Sequence, residues 1–421
     1  MHSCFRTAFS AMRSLLVGLL CLGASNVSHA QSTNPTEPRY RIYLDADQSH
    51  TREAGQSIYQ GLSTALSEAG NRLGPYPVDI VIKDHRRNST RSVDHVKECI
   101  NDPLAICMVG GMHTPAILAG LPLIQENKLL HLNPWAAGAA ITRKHAGAEN
   151  WVFRLSVDDS KVASYLVKTM RSRGFSKPFL LTEKTSWGTA NNVALKQAIQ
   201  VESLAEANEH QFSWNIGANS ANLIIDKVVA SEADCVLLVA NPQEAQQLLQ
   251  VLWRKKPTLP VISHWGISGA DPSTLLPKHE KKIDLEFLQT RFSFTTYPDD
   301  PMGLRVMQRA IRTFPELKEN GIQAPVGFIH AYDLGKLLIA AADQSQMAGN
   351  GIQEKRNGLR LALEDLKTPV PGLIKTYKRP FSNRGPDSHE ALGSEDFAMG
   401  RFTKDGRILL NRSDKQYPRG E

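Results

Sequence analysis

The chain has 421 residues, 41% of them hydrophobic, and a formal net charge of +7 at pH 7. This length exceeds the roughly 250–300 residues at which single hydrophobic cores stop growing, so we expect more than one lobe. The basic excess is spread along the sequence in short runs such as Arg254-Lys255-Lys256, a pattern that is typical of a solvated surface and argues against nucleic acid as a partner.

Residues 1–30 have the pattern of a secretory signal peptide. Two arginines precede an apolar run at 15–22, and Ser28-His29-Ala30 offers a cleavage site with small outer residues. Because the apolar run is too short for a stable membrane helix, we expect export as a soluble protein with cleavage near Ala30. Cys21 leaves a lipoprotein open as the alternative, although the preceding Leu20 is larger than a lipid-attachment motif favours.

Predicted strands and helices alternate through the rest of the chain. The strands of the first part are predicted at 39–44, 78–83, 107–109 and 129–132, and its helices at 53–69, 92–99 and 116–125. Later strands are predicted at 178–182, 235–240 and 287–295, with a strand and its following loop at 260–266. Later helices are predicted at 191–199, 222–229, 243–253, 301–313, 325–342 and 355–366. This alternation predicts parallel, doubly wound sheets. A hairpin is predicted at 397–410, around the Asp405-Gly406 turn.

Two consecutive predicted strands end in loops at the same sheet edge, where open α/β sheets bind ligands. The first loop contains Gly110-Gly111 and continues to Thr114-Pro115, which predicts a helix N-cap followed by proline at the first helical position. Free N–H groups at this helix start favour an anion such as a carboxylate, and His113 could add a donor. The alternative is that Thr114 only caps its helix.

This stretch resembles the type I periplasmic binding proteins of the Leu/Ile/Val-binding kind, which are solute receptors of ABC importers. In that family a Gly, a Ser/Thr-bearing loop and the motif SPxAT…LT form the first lobe's half of the ligand site. The matching residues here are Gly110…His113-Thr114 and Asn133-Pro134-Trp135-Ala136-Ala137…Ile141-Thr142. The family's DxxYG loop resembles residues 183–188, with Trp187 in the place of the tyrosine.

The resemblance implies two doubly wound parallel-sheet α/β lobes joined by a three-crossover hinge. It assigns 39–153 and 267–345 to the first lobe, and 154–266 and 350–421 to the second. It further implies a monomer in the periplasm that binds a small molecule, amino-acid-like or a related polar or aromatic compound, and delivers it to an ABC permease in the inner membrane. A ligand-sensing module for a signalling partner is the alternative.

The resemblance also implies which residues contact the ligand. The predicted set is His113, Thr114, Trp135, Ala136, Ala137, Trp187, Asn241 and Trp265. Two positions depart from the family pattern, because Ala137 replaces a threonine and Trp265 stands where several relatives carry an acid that neutralises an ammonium group. An apolar, aromatic or quaternary-ammonium ligand would suit this cleft better than a zwitterion. The alternatives are that the tryptophans pack within their lobes and that Asn241 only caps its helix, in a capping box with Glu244.

No motif in the sequence supports catalysis or a bound metal or cofactor. The histidines are scattered, without HExxH or HxH, and GxSxG and GxxxxGK[ST] do not occur. We therefore expect no enzyme activity. Export permits a disulfide, and we predict a bridge between Cys99 and Cys107 across the turn Asn101-Asp102-Pro103, with two reduced thiols as the alternative.

Overall fold

The computed structural model describes residues 38–146, 148–270, 275 and 284–411. The predicted signal peptide at 1–30, with Cys21 and the cleavage site near Ala30, lies outside the described residues. No helix within these described ranges is long and apolar enough to span a membrane.

The first part of the chain forms one sheet with the strand order β2-β3-β1-β4-β5-β6. Its elements are β1 Tyr40–Ala46, α1 Arg52–Glu68, β2 Arg72–Leu73, β3 Tyr76–Asp84, α2 Ser89–Asn101, β4 Ala105–Gly110, α3 Thr114–Glu126, β5 His131–Asn133, α4 Ala140–Arg143 and β6 Val152–Arg154. Strands β3, β1, β4, β5 and β6 pair in parallel, and β2 is antiparallel to β3. We call this sheet and the helices packed on it the first lobe.

The middle of the chain forms the parallel part of a second sheet. Its elements are α5 Asp159–Ser172, β7 Pro178–Glu183, α6 Ser186–Val201, β8 Asn208–Phe212, α7 Ala218–Ala230, β9 Cys235–Val239, α8 Pro242–Lys255, β10 Val261–Ser263, the 3₁₀ turn Trp265–Gly269 and β11 Leu285–Thr290. These strands pair in parallel in the order β11-β10-β9-β7-β8. We call this sheet and its helices the second lobe.

The last part of the chain contributes to both lobes. Its elements are α9 Pro301–Thr313, α10 Leu317–Asn320, α11 Pro325–Ser345, α12 Ile352–Glu364, β12 Val370–Pro371, β13 Thr376–Tyr377, the 3₁₀ turn Ser394–Asp396, β14 Phe397–Phe402 and β15 Ile408–Leu410. Helix α11 packs along α1, where a Cβ added to Gly61 would lie 2.2 Å from the Phe328 carbonyl oxygen. Such close contact between helix backbones requires glycine at this position. The predicted hairpin forms from β14 and β15, which extend the second sheet.

For two segments, the structure differs from the predicted assignment to lobes. Strand β11 falls in the predicted first-lobe segment 267–345, but it pairs with β10, and its buried Phe287 belongs to the second-lobe core. Helix α12 falls in the predicted second-lobe segment 350–421, but it packs on the first lobe. There the buried Arg356 donates from Nη2 to the Ala105 carbonyl oxygen of β4 at 2.7 Å. The chain therefore crosses back to the first lobe only after β11, and returns to the second sheet at β14.

The cysteines of the described ranges are buried free thiols, in contrast to the predicted Cys99–Cys107 bridge. Cys99 lies near the end of α2 and Cys107 lies inside β4, so the helix and strand, rather than the turn between them, fix how the two side chains approach. A disulfide requires a narrow range of Cα and Cβ separations. Burial raises the pKa of Cys99 to about 12, which disfavours the reactive thiolate.

Candidate functional site

The carboxyl edges of the two sheets face each other, and loops from both lobes meet there. Gly269 follows β10 and lies against Met112, which follows β4, so that an added Cβ on Gly269 would lie 2.8 Å from Met112 Cε. Beside this contact, the rings of Trp135 and Trp265 have centroids 6.0 Å apart. We call the region between these loops the cleft.

The first-lobe wall of the cleft is the loop between β5 and α4. Asn133 closes a tight turn, accepting a hydrogen bond from the Trp135 N–H at 3.1 Å and donating to the Ala136 carbonyl oxygen at 2.6 Å. The Gly138 N–H donates to Thr114 Oγ1 at 3.2 Å and thereby ties this loop to the start of α3. Thr114 is the first residue of α3 and not its N-cap, a position that His113 occupies.

A buried arginine fixes the far end of the same loop. Arg154 donates from Nη1 to the carbonyl oxygens of Ala137 and Gly138 at 2.8 and 2.9 Å. Its Nε and Nη2 donate to the two carboxylate oxygens of the buried Glu390, each at 2.7 Å. Bidentate charged pairs of this kind hold geometry well. Ala136 and Ala137 are buried with their backbone groups engaged, so they shape the cleft wall.

His113 is buried in the same region. Neither ring nitrogen has a hydrogen-bond partner among the described residues, and the ring lies 5.5 Å from His85 and 5.9 Å from Trp214 between centroids. Burial, with smaller contributions from His85 and Arg87, holds the pKa of His113 well below its usual range. The imidazole is therefore neutral near pH 7, with one nitrogen that donates and one that accepts.

The predicted tryptophans do meet in the cleft. Trp265 lies between Trp135 and His330, whose ring centroid is 5.1 Å away, and Trp187 makes an edge contact with His264 at 5.0 Å. The benzene edge of Trp135 faces Gly327 of α11, so its Nε1 points away from that helix. In the part of the chain that the structure describes, the indole N–H groups of Trp135 and Trp187 have no acceptor.

A buried polar cluster lies next to Trp187, in the second lobe. Asp159, at the start of α5, accepts a hydrogen bond from Asn191 Nδ2 at 2.9 Å and lies 2.8 Å from His264 Nε2. Its backbone N–H donates to the Ala137 carbonyl oxygen at 3.0 Å, which brings the cluster against the first-lobe loop. We call Asp159, Asn191 and His264 the Asp159 cluster.

Asn241 does not cap its helix. It occupies the N-cap position of α8 without a side-chain cap bond, and its side-chain amide and backbone N–H both donate to Glu183, at 3.1 and 2.6 Å. The predicted capping box with Glu244 is absent because Glu244 Oε1 instead accepts from Arg87 Nη2 and the Asn215 N–H. Burial, and next the Glu244 carboxylate, raise the pKa of Glu183 to about 7.

A buried polar contact between the lobes centres on Arg87. Its side chain is only 5% exposed, and it donates across the cleft to Glu244 Oε1 at 3.0 Å and to Gln243 Oε1 at 2.5 Å. The guanidinium carbon also lies 4.3 Å from the ring centroid of Trp214. Gln243 returns a bond from Nε2 to the His50 carbonyl oxygen at 3.1 Å. These contacts join the two lobes directly.

The structure thus brings all the predicted contact residues to the cleft region, although whether they bind ligand stays a prediction. Sequence reasoning missed Arg87 and the Asp159 cluster. Asp159 begins a helix and Arg87 follows another arginine after β3, so neither carries a local sequence signal of a contact with the opposite lobe. Within the described ranges, no group of three or more His, Cys, Asp and Glu side chains is placed to hold a metal ion.

Comparisons with known proteins agree with this architecture. Among solved structures, a solute-binding protein of an R. palustris ABC transporter in complex with 4-hydroxybenzoate has a TM-score of 0.73 and 17% identity, over 89% of this chain and 95% of that one. A second R. palustris solute-binding protein, in complex with benzoate, has a TM-score of 0.70 and 15% identity, over 88% and 95%. A leucine-binding protein from Thermotoga maritima has a TM-score of 0.69 and 12% identity, over 89% and 98%.

These similarities in structure show the shared fold. No curated protein sequence matches the chain significantly. The family model for periplasmic binding proteins matches residues 43–394, which is most of the chain and includes both lobes and the cleft. The chain therefore belongs to the periplasmic binding protein family.

Proposed function

We propose that this protein is a periplasmic receptor that binds a small carboxylic acid with a flat, apolar body between its lobes and delivers it to an ABC importer. The observation that carries the proposal is the convergence of Trp135, Trp187 and Trp265 in the cleft, with two buried indole N–H groups that have no acceptor in the described structure. Indole rings offer flat apolar contact, and unpaired buried donors favour an electron-rich partner.

The charges of the cleft argue against an amino acid as the ligand. Its buried carboxylates already have hydrogen-bond partners. Asp47 accepts from the backbone N–H of Thr51, and Asp159 is bonded to Asn191 and His264. Glu183 accepts from Asn241 and Trp214. Glu244 pairs with Arg87. A ligand ammonium group would thus have to share a carboxylate that other groups already hold, because Glu244 Oε2, which has no partner among the described residues, belongs to a carboxylate that is paired with Arg87. The two R. palustris proteins of the same fold, with their aromatic acid ligands, further support this choice.

A thermal-shift screen followed by calorimetric titration tests this proposal. The probes are benzoate, 4-hydroxybenzoate, leucine, phenylalanine and glycine betaine. We expect the two aromatic acids to raise the melting temperature, since a ligand at one hundred times its Kd adds about 2.7 kcal/mol to the free energy of unfolding. Binding of leucine or phenylalanine without binding of either aromatic acid would overturn the proposed ligand class.

Substitution of Trp187 shows whether binding occurs in the cleft. Trp187→Phe keeps an aromatic ring and removes the indole N–H, so we expect it to weaken binding of the acid less than Trp187→Ala, for which a loss of about 2–4 kcal/mol is typical of an anchor residue. Trp253→Phe is the matched control, because Trp253 is buried in the second-lobe core on α8. Equal affinity in all three variants and the wild type would return Trp187 to a packing role.

A further inference from the structure

The geometry of the Asp159 cluster determines which of its atoms donate hydrogen bonds and which accept them. Asp159 Oδ2 accepts from Asn191 Nδ2, and Oδ1 lies 2.8 Å from His264 Nε2. A carboxylate only accepts hydrogen bonds, so the imidazole proton that faces it is on Nε2. Asn191 Nδ2 also donates to the Trp187 carbonyl oxygen at 3.1 Å, which places the amide nitrogen on this side and leaves the amide oxygen on the other.

Two acceptor atoms of this cluster have no donor. His264 Nδ1 and Asn191 Oδ1 are buried, on side chains that are 0% and 1% exposed, and neither has a hydrogen-bond partner in the described ranges. In the tautomer that carries its proton on Nε2, towards Asp159, His264 presents Nδ1 as an acceptor. Buried polar atoms in proteins are nearly always paired, so two unpaired acceptors within one cluster call for a donor from outside it.

The cluster lies where the proposed ligand would contact the second lobe. The Asp159 backbone N–H donates to Ala137 of the first-lobe loop. Asn191 donates to the backbone carbonyl oxygen of Trp187, and His264 contacts the Trp187 ring at its edge. The unpaired N–H donors of Trp135 and Trp187 lie in the same cleft. The unpaired polar groups of the cleft are therefore of two kinds: indole N–H donors, which suit a ligand carboxylate, and acceptors, which suit a hydrogen-bond donor on the ligand.

We propose that Asn191 and His264, both oriented by Asp159, determine specificity by accepting hydrogen bonds from a neutral donor group on the ligand, such as a ring hydroxyl. This inference rests on the proposed function and deepens it, because it adds a requirement to the apolar acid proposed above. Asp159 acts here as a positioning residue, since its carboxylate fixes the tautomer of His264 and the amide orientation of Asn191 without contacting the ligand.

Calorimetric titration with three acids tests the requirement for a donor. The probes are benzoate, 4-hydroxybenzoate and 4-methylbenzoate; the last matches the hydroxyl in size but has no hydrogen to donate. We expect 4-hydroxybenzoate to bind about tenfold more tightly than 4-methylbenzoate, or better, because without a donor the two acceptors stay unpaired. Equal affinities for these two acids would overturn this inference and leave the proposed function intact. If none of the three acids binds, both are overturned.

Variants identify the residues responsible for the discrimination. Asn191→Leu removes the Oδ1 acceptor, together with the Nδ2 donor to Asp159, at similar volume. We therefore expect the preference for 4-hydroxybenzoate over 4-methylbenzoate, given by the ratio of their dissociation constants, to fall at least several-fold. Asn192→Leu is the matched control on the same helix, because the Asn192 amide lies 3.4 Å from Thr182 Oγ1 and outside the cluster. His264→Phe gives an independent variant if Asn191→Leu does not fold. An unchanged ratio in the folded Asn191 or His264 variant would overturn the assignment.

Discussion

Thr114 joins two loops of the cleft through a single oxygen atom. Its Oγ1 accepts the hydrogen bond from the Gly138 N–H at 3.2 Å, while its hydroxyl hydrogen can still be donated to a ligand. The methyl group packs so closely under Gly138 that a Cβ on the glycine would lie 2.3 Å from Thr114 Cγ2. Both the hydroxyl and the methyl group therefore help to hold the loop that carries Trp135.

Thr114→Ala should lower both stability and affinity. It leaves the Gly138 N–H without an acceptor in a buried place, which costs about 1–3 kcal/mol of unfolding free energy, and it frees the loop that carries Ala136 and Ala137. Thr114→Ser keeps the oxygen and should stay close to the wild type in both. Denaturant unfolding and titration with the best acid of the screen measure the two effects. Wild-type affinity in the alanine variant would rule out any role for Thr114 in the site.

At the scale of elements, the end of β7 and the start of α8 bring two acids together. Glu183 and Glu244 are both buried, and Glu183 accepts hydrogen bonds from Trp214 and Asn241. Burial first, and the Glu244 carboxylate second, raise the pKa of Glu183 from its ordinary 4.5 to about 7, against the lowering effect of Arg87. The folded protein thus holds a proton on Glu183 at pH values where the unfolded chain has lost it.

This raised pKa predicts how stability changes with pH. The contribution of Glu183 is fully present below about pH 4.5 and is lost as the pH rises towards 7, because over that range the folded state binds more protons than the unfolded state. Glu244→Gln keeps an oxygen for Arg87 and Asn215 but removes the neighbouring charge. We therefore expect the fall in unfolding free energy between pH 4.5 and 7 to be smaller in this variant, when denaturation is measured across that range. A fall as steep as in the wild type would contradict the coupling of the two acids.

The order of strands and helices could be predicted from the sequence because it follows from local periodicity. Helix α9 has the predicted bounds, Pro301–Thr313, and the Asp405-Gly406 turn does join β14 to β15. Which lobe a helix packs on depends instead on distant partners. Helix α12, for example, contacts the first lobe through Arg356, which donates to the Ala105 carbonyl oxygen 251 residues away in sequence.

The candidate site also has one part that could be predicted from the sequence and one part that could not. Trp135, Trp187 and Trp265 follow predicted strands, so their meeting at one edge could be expected from the parallel topology. The side-chain pairings could not be expected, because they join residues far apart in the chain. His264 bonds to Asp159 over 105 positions, and Asn241 turns to Glu183 instead of its own helix.

At the scale of the whole molecule, Arg87 is one of the polar groups that join the lobes, beside contacts such as Arg143 with Asp158 and Thr290 with His330. The Arg87 guanidinium donates to Gln243 and Glu244 and stacks on Trp214, all of the second lobe. We call the arrangement in which the loops of the two lobes meet the closed form, and an arrangement with the lobes apart the open form. In the open form Arg87 and Glu244 would regain water, so their pair is specific to the closed form. Ligand binding and this contact should therefore favour the same closed state.

Arg87→Ala should shift the protein towards the open form. It leaves the Glu244 carboxylate buried beside Glu183 without its arginine, and breaking a buried pair in this way costs about 3–5 kcal/mol. That cost applies only to the closed form, so we expect a larger radius of gyration in small-angle scattering and a dissociation constant for the best acid of the screen that is raised by about 100-fold or more. Arg86→Ala is the matched control, because Arg86 has a similar positive φ, 50° against 54°, but pairs with Asp84 of its own lobe. If Arg87→Ala matches Arg86→Ala in both scattering and affinity, the Arg87 contact does not control closure.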